Sequence, residues 1–266
     1  MRSPHPVVNL RIFRDRSFAT GNLIMFTGFF CLFGSIVLLP LYLQELMGYT
    51  AFWAGLVLGP GGIAAFFIMP LAGLMMKKQV SPRLLLAIGL SISMSSLWLM
   101  SDFNLYASFR AIALPRVIQG FGLGLFFVPL SAATFTGIPN EETGNASGIF
   151  NLLRNLGGSF GVAFSTTVLA RRTQLHQTFL VENITPYNPS FQHYSNQVRQ
   201  WLQIHQPRFA GPSTALDEIY RLVMQQARML AFNDTFWLLA LGTAVLVPLT
   251  IFFRQQTKTA PGAGLP

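Results

Sequence analysis

An all-α membrane protein with six transmembrane helices is the fold class this sequence predicts, on three observations. Of its 266 residues, 52% are apolar and only 10% charged, where an ordinary soluble domain carries about 25% charge. Uncharged stretches far longer than a buried strand or core helix recur along the chain, and the ionisable residues collect between them. Mean hydropathy is +0.47, which excludes a disordered chain and argues against a soluble enzyme.

The spans follow from the positions of the charges. Between Arg16 and Glu45 lie 28 uncharged residues, between Glu45 and Lys77 another 31, and between Arg83 and Asp102 another 18. At about 1.5 Å rise per residue, each approaches or exceeds the roughly 20 residues that cross the hydrocarbon core. A fourth stretch enters near Ala111 to Pro115 and stays uncharged from Val117 to Asn140. The fifth runs from Gly144 to Ala170 around Arg154, and the sixth from Ala231 to Phe253 with Asp234 near its start. The chain therefore divides into a basic lead segment 1–16, transmembrane helices over 17–170, a polar segment 171–230, a last transmembrane helix over 231–253 and a tail 254–266. Thr, Pro and Gly dominate the tail, which reads as disordered. The opening apolar run is too long for a signal peptide, so the first span is expected to stay as an anchor.

An even number of spans puts both termini on one side, and the distribution of Lys and Arg chooses the cytoplasm. Arg2, Arg11, Arg14 and Arg16 precede the first span, Lys77, Lys78 and Arg83 join the second to the third, and Arg254 and Lys258 follow the last. The opposite short loops hold only Arg110. Residues 171–230, with six Arg, are near the length at which the rule stops counting, and are placed outside. The net charge of +9 sets topology and does not form one basic face, so nucleic acid is not an expected partner. A single cysteine, Cys31, excludes an intramolecular disulfide and a multi-cysteine metal site.

Within 171–230, Phe191, Tyr194, Val198, Trp201 and Leu202 fall at helical spacing, as do Leu216, Ile219, Tyr220, Val223, Ala227 and Leu230. Two amphipathic helices are expected, separated by Pro207 and the Gly211-Pro212 pair, with Thr214 and Asp217 as a capping pair for the second. Such a hairpin either lies on the outer membrane surface or over the pore mouth, or docks a partner.

Catalytic chemistry finds no support in the side chains. His5, His176, His193 and His205 all fall outside the predicted spans without metal-ligand spacing, and no cofactor is implied. The glycines pair instead at small-xxx-small spacing, Gly55 with Gly59, Gly120 with Gly124, Gly144 with Gly148 and Gly157 with Gly161, which lets helix backbones approach closely. The run Gly59-Pro60-Gly61-Gly62 is expected to bend span two as a hinge. Ionisable residues inside spans cost about 2.5–3.5 kcal/mol at the helix centre, so each is a functional candidate. Arg154, flanked by Asn151 and Asn155, should face protein or water. Arg116 either serves function or snorkels to the outer interface, and Asp234 either serves function at the rim or caps Thr235-Phe236-Trp237.

Arg116-Val-Ile-Gln119-Gly120-Phe-Gly122 resembles the R-x-x-Q-G-x-G motif of the major facilitator superfamily, found at the fourth helix of a six-helix half. Trp53 to Gly62, Pro70-Leu-Ala-Gly73, Gly144 to Gly161 and Ala231-Phe-Asn-Asp234-Thr-Phe-Trp resemble the C-terminal half of the fourteen-helix drug:proton antiporters of the EmrB/QacA family. The resemblance runs from Val8 to Arg254, and the family's N-terminal half, with its proton-coupling acidic residues, has no counterpart here. Between spans two and three the superfamily's Gly-x-x-x-Asp-Arg/Lys-x-Gly is also incomplete: Gly73 is followed by Lys77, Lys78 and Val80.

The resemblance implies half of a major facilitator fold. Helices one and four would line the cavity with Arg116, Gln119 and Gly120. Two and five would face the other half with Asn151, Arg154, Gly157 and Gly161, and Asp234 would lie at the periphery. It implies a multi-pass inner-membrane transporter conferring drug resistance by exporting amphipathic or cationic drugs in exchange for protons. Its partners would be the lipid bilayer, an N-terminal half or a second copy, and, in a two-membrane envelope, a periplasmic adaptor and an outer-membrane channel. A truncated or split product inactive alone is the leading expectation; the alternatives are a membrane assembly or regulatory subunit and a homodimeric small transporter.

Overall fold

The structure, a computed structural model, describes residues 10–182, 184–185, 187–205 and 212–252. Residues 1–9 of the basic lead segment, the tail 254–266, Pro207 and Gly211 lie outside the described residues. Every described regular element is helical: α1 Arg16–Leu41, α2 Ala51–Lys77, α3 Pro82–Met100, α4 Phe109–Phe135, α5 Thr143–Glu182, α6 Pro189–His205 and α7 Pro212–Leu249.

Local chemistry sets where the first four begin. Asp15, Thr50, Ser81 and Ser108 each stand at an N-cap in extended conformation, and each side chain accepts a hydrogen bond from the backbone N–H three residues on. Pro82 occupies the first turn of α3, where its missing N–H costs nothing. The α2–α3 turn closes with Gln79 in the left-handed region at φ 68°, its N–H donating to Met76 O and that of Val80 to Met75 O. Pro40 lies near the end of α1, which continues as a π-helical turn over Tyr42–Leu46.

Five helical stretches are long and apolar enough to cross a membrane: Arg16–Leu46, Ala51–Lys77, Pro82–Met100, Phe109–Phe135 and Leu216–Leu249. α5 completes the bundle as the sixth long helix, although Asn151, Arg154, Asn155 and its many Gly, Ser and Thr residues make it more polar than the others. The packing order places α4 between α2 and α3, α7 between α3 and α5, and α1 against α5, α4 and α7. Tyr42, Phe103, Phe232 and Phe236 fill the core at one end, Phe103 stacking on Tyr42 at 5.4 Å, and Ile24, Met25, Leu86, Phe126 and Leu130 fill the other. α2 turns its outer face away from the bundle, exposing Phe52, Trp53, Phe66, Phe67 and Leu74.

The polar segment is organised differently from the sequence expectation. α5 runs without a break through Arg171 and Arg172 to Glu182, and the apolar row Leu216 to Leu230 is the beginning of α7, continuous with the last span. Only α6 is a separate amphipathic helix, and it packs on α7. No Pro or Gly stands between Pro212 and Gly242, so nothing interrupts the hydrogen-bond ladder where the composition turns apolar.

Candidate functional site

The R-x-x-Q spacing puts Arg116 and Gln119 on one face of α4, one turn apart. Arg116 Nη1 donates to Gln119 Oε1, Gln119 Nε2 donates to Ser35 Oγ of α1 at 2.8 Å, and Ser35 Oγ donates to Leu32 O at 2.7 Å. Gln119 and Ser35 are buried, so a polar chain runs from a half-buried guanidinium through two helices to a backbone carbonyl. Arg116 Nε is buried without a hydrogen-bond partner. Ser35 is absent from the sequence reading, because a lone serine in an apolar helix has no signal until α1 and α4 are brought together. Gln119 also borders a void of about 20 Å³ between α1, α3, α4 and α7, shared with Cys31, Ser93 and Thr243.

The glycines of the same motif explain how α4 fits between two neighbours. Residues two apart on an α-helix point about 200° apart, and residues four apart share a face. A Cβ on Gly120 would lie 2.1 Å from Gly61 O and one on Gly124 1.8 Å from Ile68 Cγ2, both on α2. One on Gly122 would lie 2.2 Å from Ser93 Oγ and 2.8 Å from Gly89 O, on α3. A Cβ on Gly61 would in turn lie 2.7 Å from Arg116 O, so α2 crosses α4 beneath the arginine. Of the Gly59-Pro60-Gly61-Gly62 run, Gly61 is thus at a helix crossing, while Gly59 and Gly62 have no atom within 4 Å of a Cβ and α2 continues through all four.

The predicted interface residues of α5 separate into two groups. Asn151 is exposed, bonding Ser147 O at 3.0 Å, and Arg154 is half-buried with its guanidinium carbon 5.9 Å from the centre of the Phe29 ring. Gly157 and Gly161 face inward, where a Cβ would lie 2.2 Å from Phe26 O and 2.0 Å from Phe30 O of α1. These two glycines close the α1–α5 seam inside the bundle, as their small-xxx-small spacing anticipates. Gly55, Gly144 and Gly148 meet nothing within 4 Å.

Asp234 does not cap a helix, because α7 begins at Pro212 and Asp234 lies in its interior. Thr235 instead donates to Ala231 O at 2.7 Å. The Asp234 carboxylate meets α5: Oδ2 is 2.8 Å from His176 Nε2 and 3.4 Å from Arg172 Nη1. By sequence His176 is one of four histidines outside the spans and Arg172 carries no signal of its own; their i, i+4 spacing on one face of α5 is what aims both at Asp234. Among the described residues no group of three or more His, Cys, Asp and Glu gathers to hold a metal.

A six-helix bundle whose fourth helix is tied to the first by an Arg–Gln–Ser chain and wedged by glycines between the second and third has the architecture of one half of a membrane transporter fold. The chain belongs to the Major Facilitator Superfamily, whose family model matches residues 2–162. It is 34% identical over 254 residues to the multidrug export protein EmrB of Haemophilus influenzae, covering 94% of this chain and 48% of that protein. Identity is also 34%, over 263 residues, to the probable multidrug resistance protein EmrY of Escherichia coli, covering 98% and 50%. It is 31%, over 258 residues, to the fatty acid resistance protein FarB of Neisseria gonorrhoeae, covering 97% and 49%. The chain spans about half the length of these relatives, which fits the C-terminal half of an EmrB-type transporter. Members of this superfamily are transporters, not enzymes.

Proposed function

We propose that this chain supplies the C-terminal six-helix half of a proton-coupled multidrug efflux transporter, with both termini in the cytoplasm and residues 171–230 outside. One six-helix bundle offers one wall of a midplane site, and alternating access needs a second bundle to rock against it, from an N-terminal half or from a second copy. The observation that carries the reading is the Arg116–Gln119–Ser35 chain, which ties α1 to α4 beside a half-buried cation. Arg116 cannot itself carry a proton, so its work is to hold Gln119 and to bias a carboxylate contributed by the other bundle. Asn151 and Arg154 meet that bundle, with the Gly157 and Gly161 seam behind them, and Gly59 and Gly62 give α2 room to flex. Amphipathic or cationic drugs are the expected cargo, with a periplasmic adaptor and an outer-membrane channel as partners where there are two membranes.

The test is reconstitution in liposomes with an imposed pH gradient. The 266-residue chain alone is expected not to extrude a lipophilic dye, and the same chain joined to an N-terminal half is expected to do so. Proton-dependent extrusion by this chain alone replaces the half-transporter reading with the homodimer. No extrusion from the joined protein refutes the transport assignment and leaves the assembly or regulatory role.

A further inference from the structure

α5 and α7 both continue as helices past the apolar part of the bundle, and Arg172, His176 and Asp234 lie where the two extensions leave it. Two cationic or potentially cationic groups, one turn apart on α5, converge on the same oxygen of one carboxylate on α7. The imidazole is the closer, at 2.8 Å, and the arginine stands at 3.4 Å. Several other polar groups on α5, α6 and α7 have partners of their own. Glu45, just past the end of α1, pairs with Arg228 of α7 at 3.6 Å, Glu218 with Arg221 at 3.0 Å, and His193 of α6 with Gln197 at 3.0 Å. Gln177 donates to Tyr220 Oη at 3.3 Å, and Asn233 donates to Phe103 O at 3.0 Å. Among the described residues no other ionisable side chain stands in ion-pair range of Arg172, His176 or Asp234.

We propose that His176, Asp234 and Arg172 form a proton-binding site that reads the pH of the compartment it faces and sets how tightly the extension of α5 is held to α7. Imidazole is the side chain that changes charge between pH 5 and 8. With the proton on His176, the carboxylate is held by two cations from one helix face. Without it, neutral His176 keeps a hydrogen bond only when its Nε2 bears the hydrogen, and the longer Arg172 contact is the sole ionic tie. The cluster is not sealed inside the bundle, the Asp234 side chain being 33% and that of His176 20% exposed. Two helices joined side by side in this way respond together, and α6, which rests on α7, moves with them. The inference concerns this chain's own residues and holds whichever bundle completes the transporter.

Amide hydrogen exchange on the chain in lipid nanodiscs, expressed as protection factors so that the intrinsic pH dependence of exchange is removed, tests it. Protection over residues 172–182 and 226–234 is expected to fall about two- to fivefold between pH 5.5 and pH 8, as for the loss of one partly exposed ion pair. His176→Gln and Asp234→Asn are expected to flatten that response. Arg172→Gln should enlarge it, since His176 then supplies the only ionic tie. A wild-type chain whose protection is the same at both pH values overturns the proposal, as does a His176→Gln chain that responds like wild type. If either flattening variant fails to fold, an Arg172→Gln response no larger than wild type overturns it as well. Exchange reads no transport, so a failed dye assay and a failed latch are told apart.

Discussion

Replacing Gly120 by alanine puts a methyl group 2.1 Å from the Gly61 carbonyl oxygen and 3.0 Å from Ala64 Cβ, where ordinary contact begins at 3.4 Å. The obstructing atom is backbone, so it cannot swing aside, and α2 and α4 must part by more than about 1 Å or tilt; overpacking of this kind costs about 1–3 kcal/mol. Gly59→Ala is the matched control. It is also a Gly→Ala change inside a helix, it gains the same helix propensity of about 1 kcal/mol, and its methyl meets nothing within 4 Å. The difference between the two variants therefore isolates the crossing, and Gly120→Ala is expected to be the less stable by about 1–3 kcal/mol, roughly a factor of 5 to 150 in the folded-to-unfolded ratio. Reversible unfolding of the chain in mixed micelles, followed by far-ultraviolet circular dichroism, measures it. Equal midpoints for the two variants, or a Gly120→Ala chain more stable than Gly59→Ala, would refute the claim that α2 and α4 meet backbone to backbone at these glycines.

Gln79→Gly, in the exposed left-handed position that ends α2, should stabilise the chain by about 1 kcal/mol, because a side chain there costs about 1–2 kcal/mol; an unchanged or lowered unfolding midpoint counts against the turn geometry. For topology, a cysteine at Gln200 on α6 should react with an impermeant maleimide in spheroplasts and one at Gln256 should not, with buried Cys31 silent in both; the reverse pattern inverts the proposed orientation. Arg116→Lys in the joined transporter keeps the charge but cannot reproduce the planar fork that donates to Gln119. Export should be lost at normal membrane abundance, and full export with lysine would make Arg116 a mere interfacial anchor.

Much of this site was legible because its chemistry is local. Arg116 and Gln119 sit one turn apart on a helix, and the Gly120–Gly124 pair points to one close-packed side of α4, while the second side, at Gly122 against α3, emerges only from the fold. Ser35 was not legible, since its role depends on a contact 84 residues away in sequence. The spans were found from charge-free length, but charge ends a span without ending a helix. Arg171 and Arg172 therefore looked like the close of α5, although they are good helix formers and the ladder runs on to Glu182. For the same reason Asp234 looked like a helix start, and its partners were read as loop residues. The four residues assigned together on α5 divide by angle: Asn151 turns outward, while Gly157 and Gly161 turn toward α1.

The uninterrupted length of α5 and α7 has a mechanical consequence. With 40 and 38 residues, they measure about 60 Å and 57 Å at 1.5 Å per residue, nearly twice the hydrocarbon thickness of about 30 Å. On the proposed topology the parts beyond the apolar spans, residues 171–182 of α5 and 212–230 of α7, are levers of about 18 Å and 28 Å. A tilt of only about 5° displaces the tip of the roughly 28 Å extension of α7 by about 2.5 Å, close to half a helical turn. Whatever small rocking the buried ends undergo is therefore magnified where α6 rides, and a ligand bound there would in turn hold leverage over the helices inside the membrane.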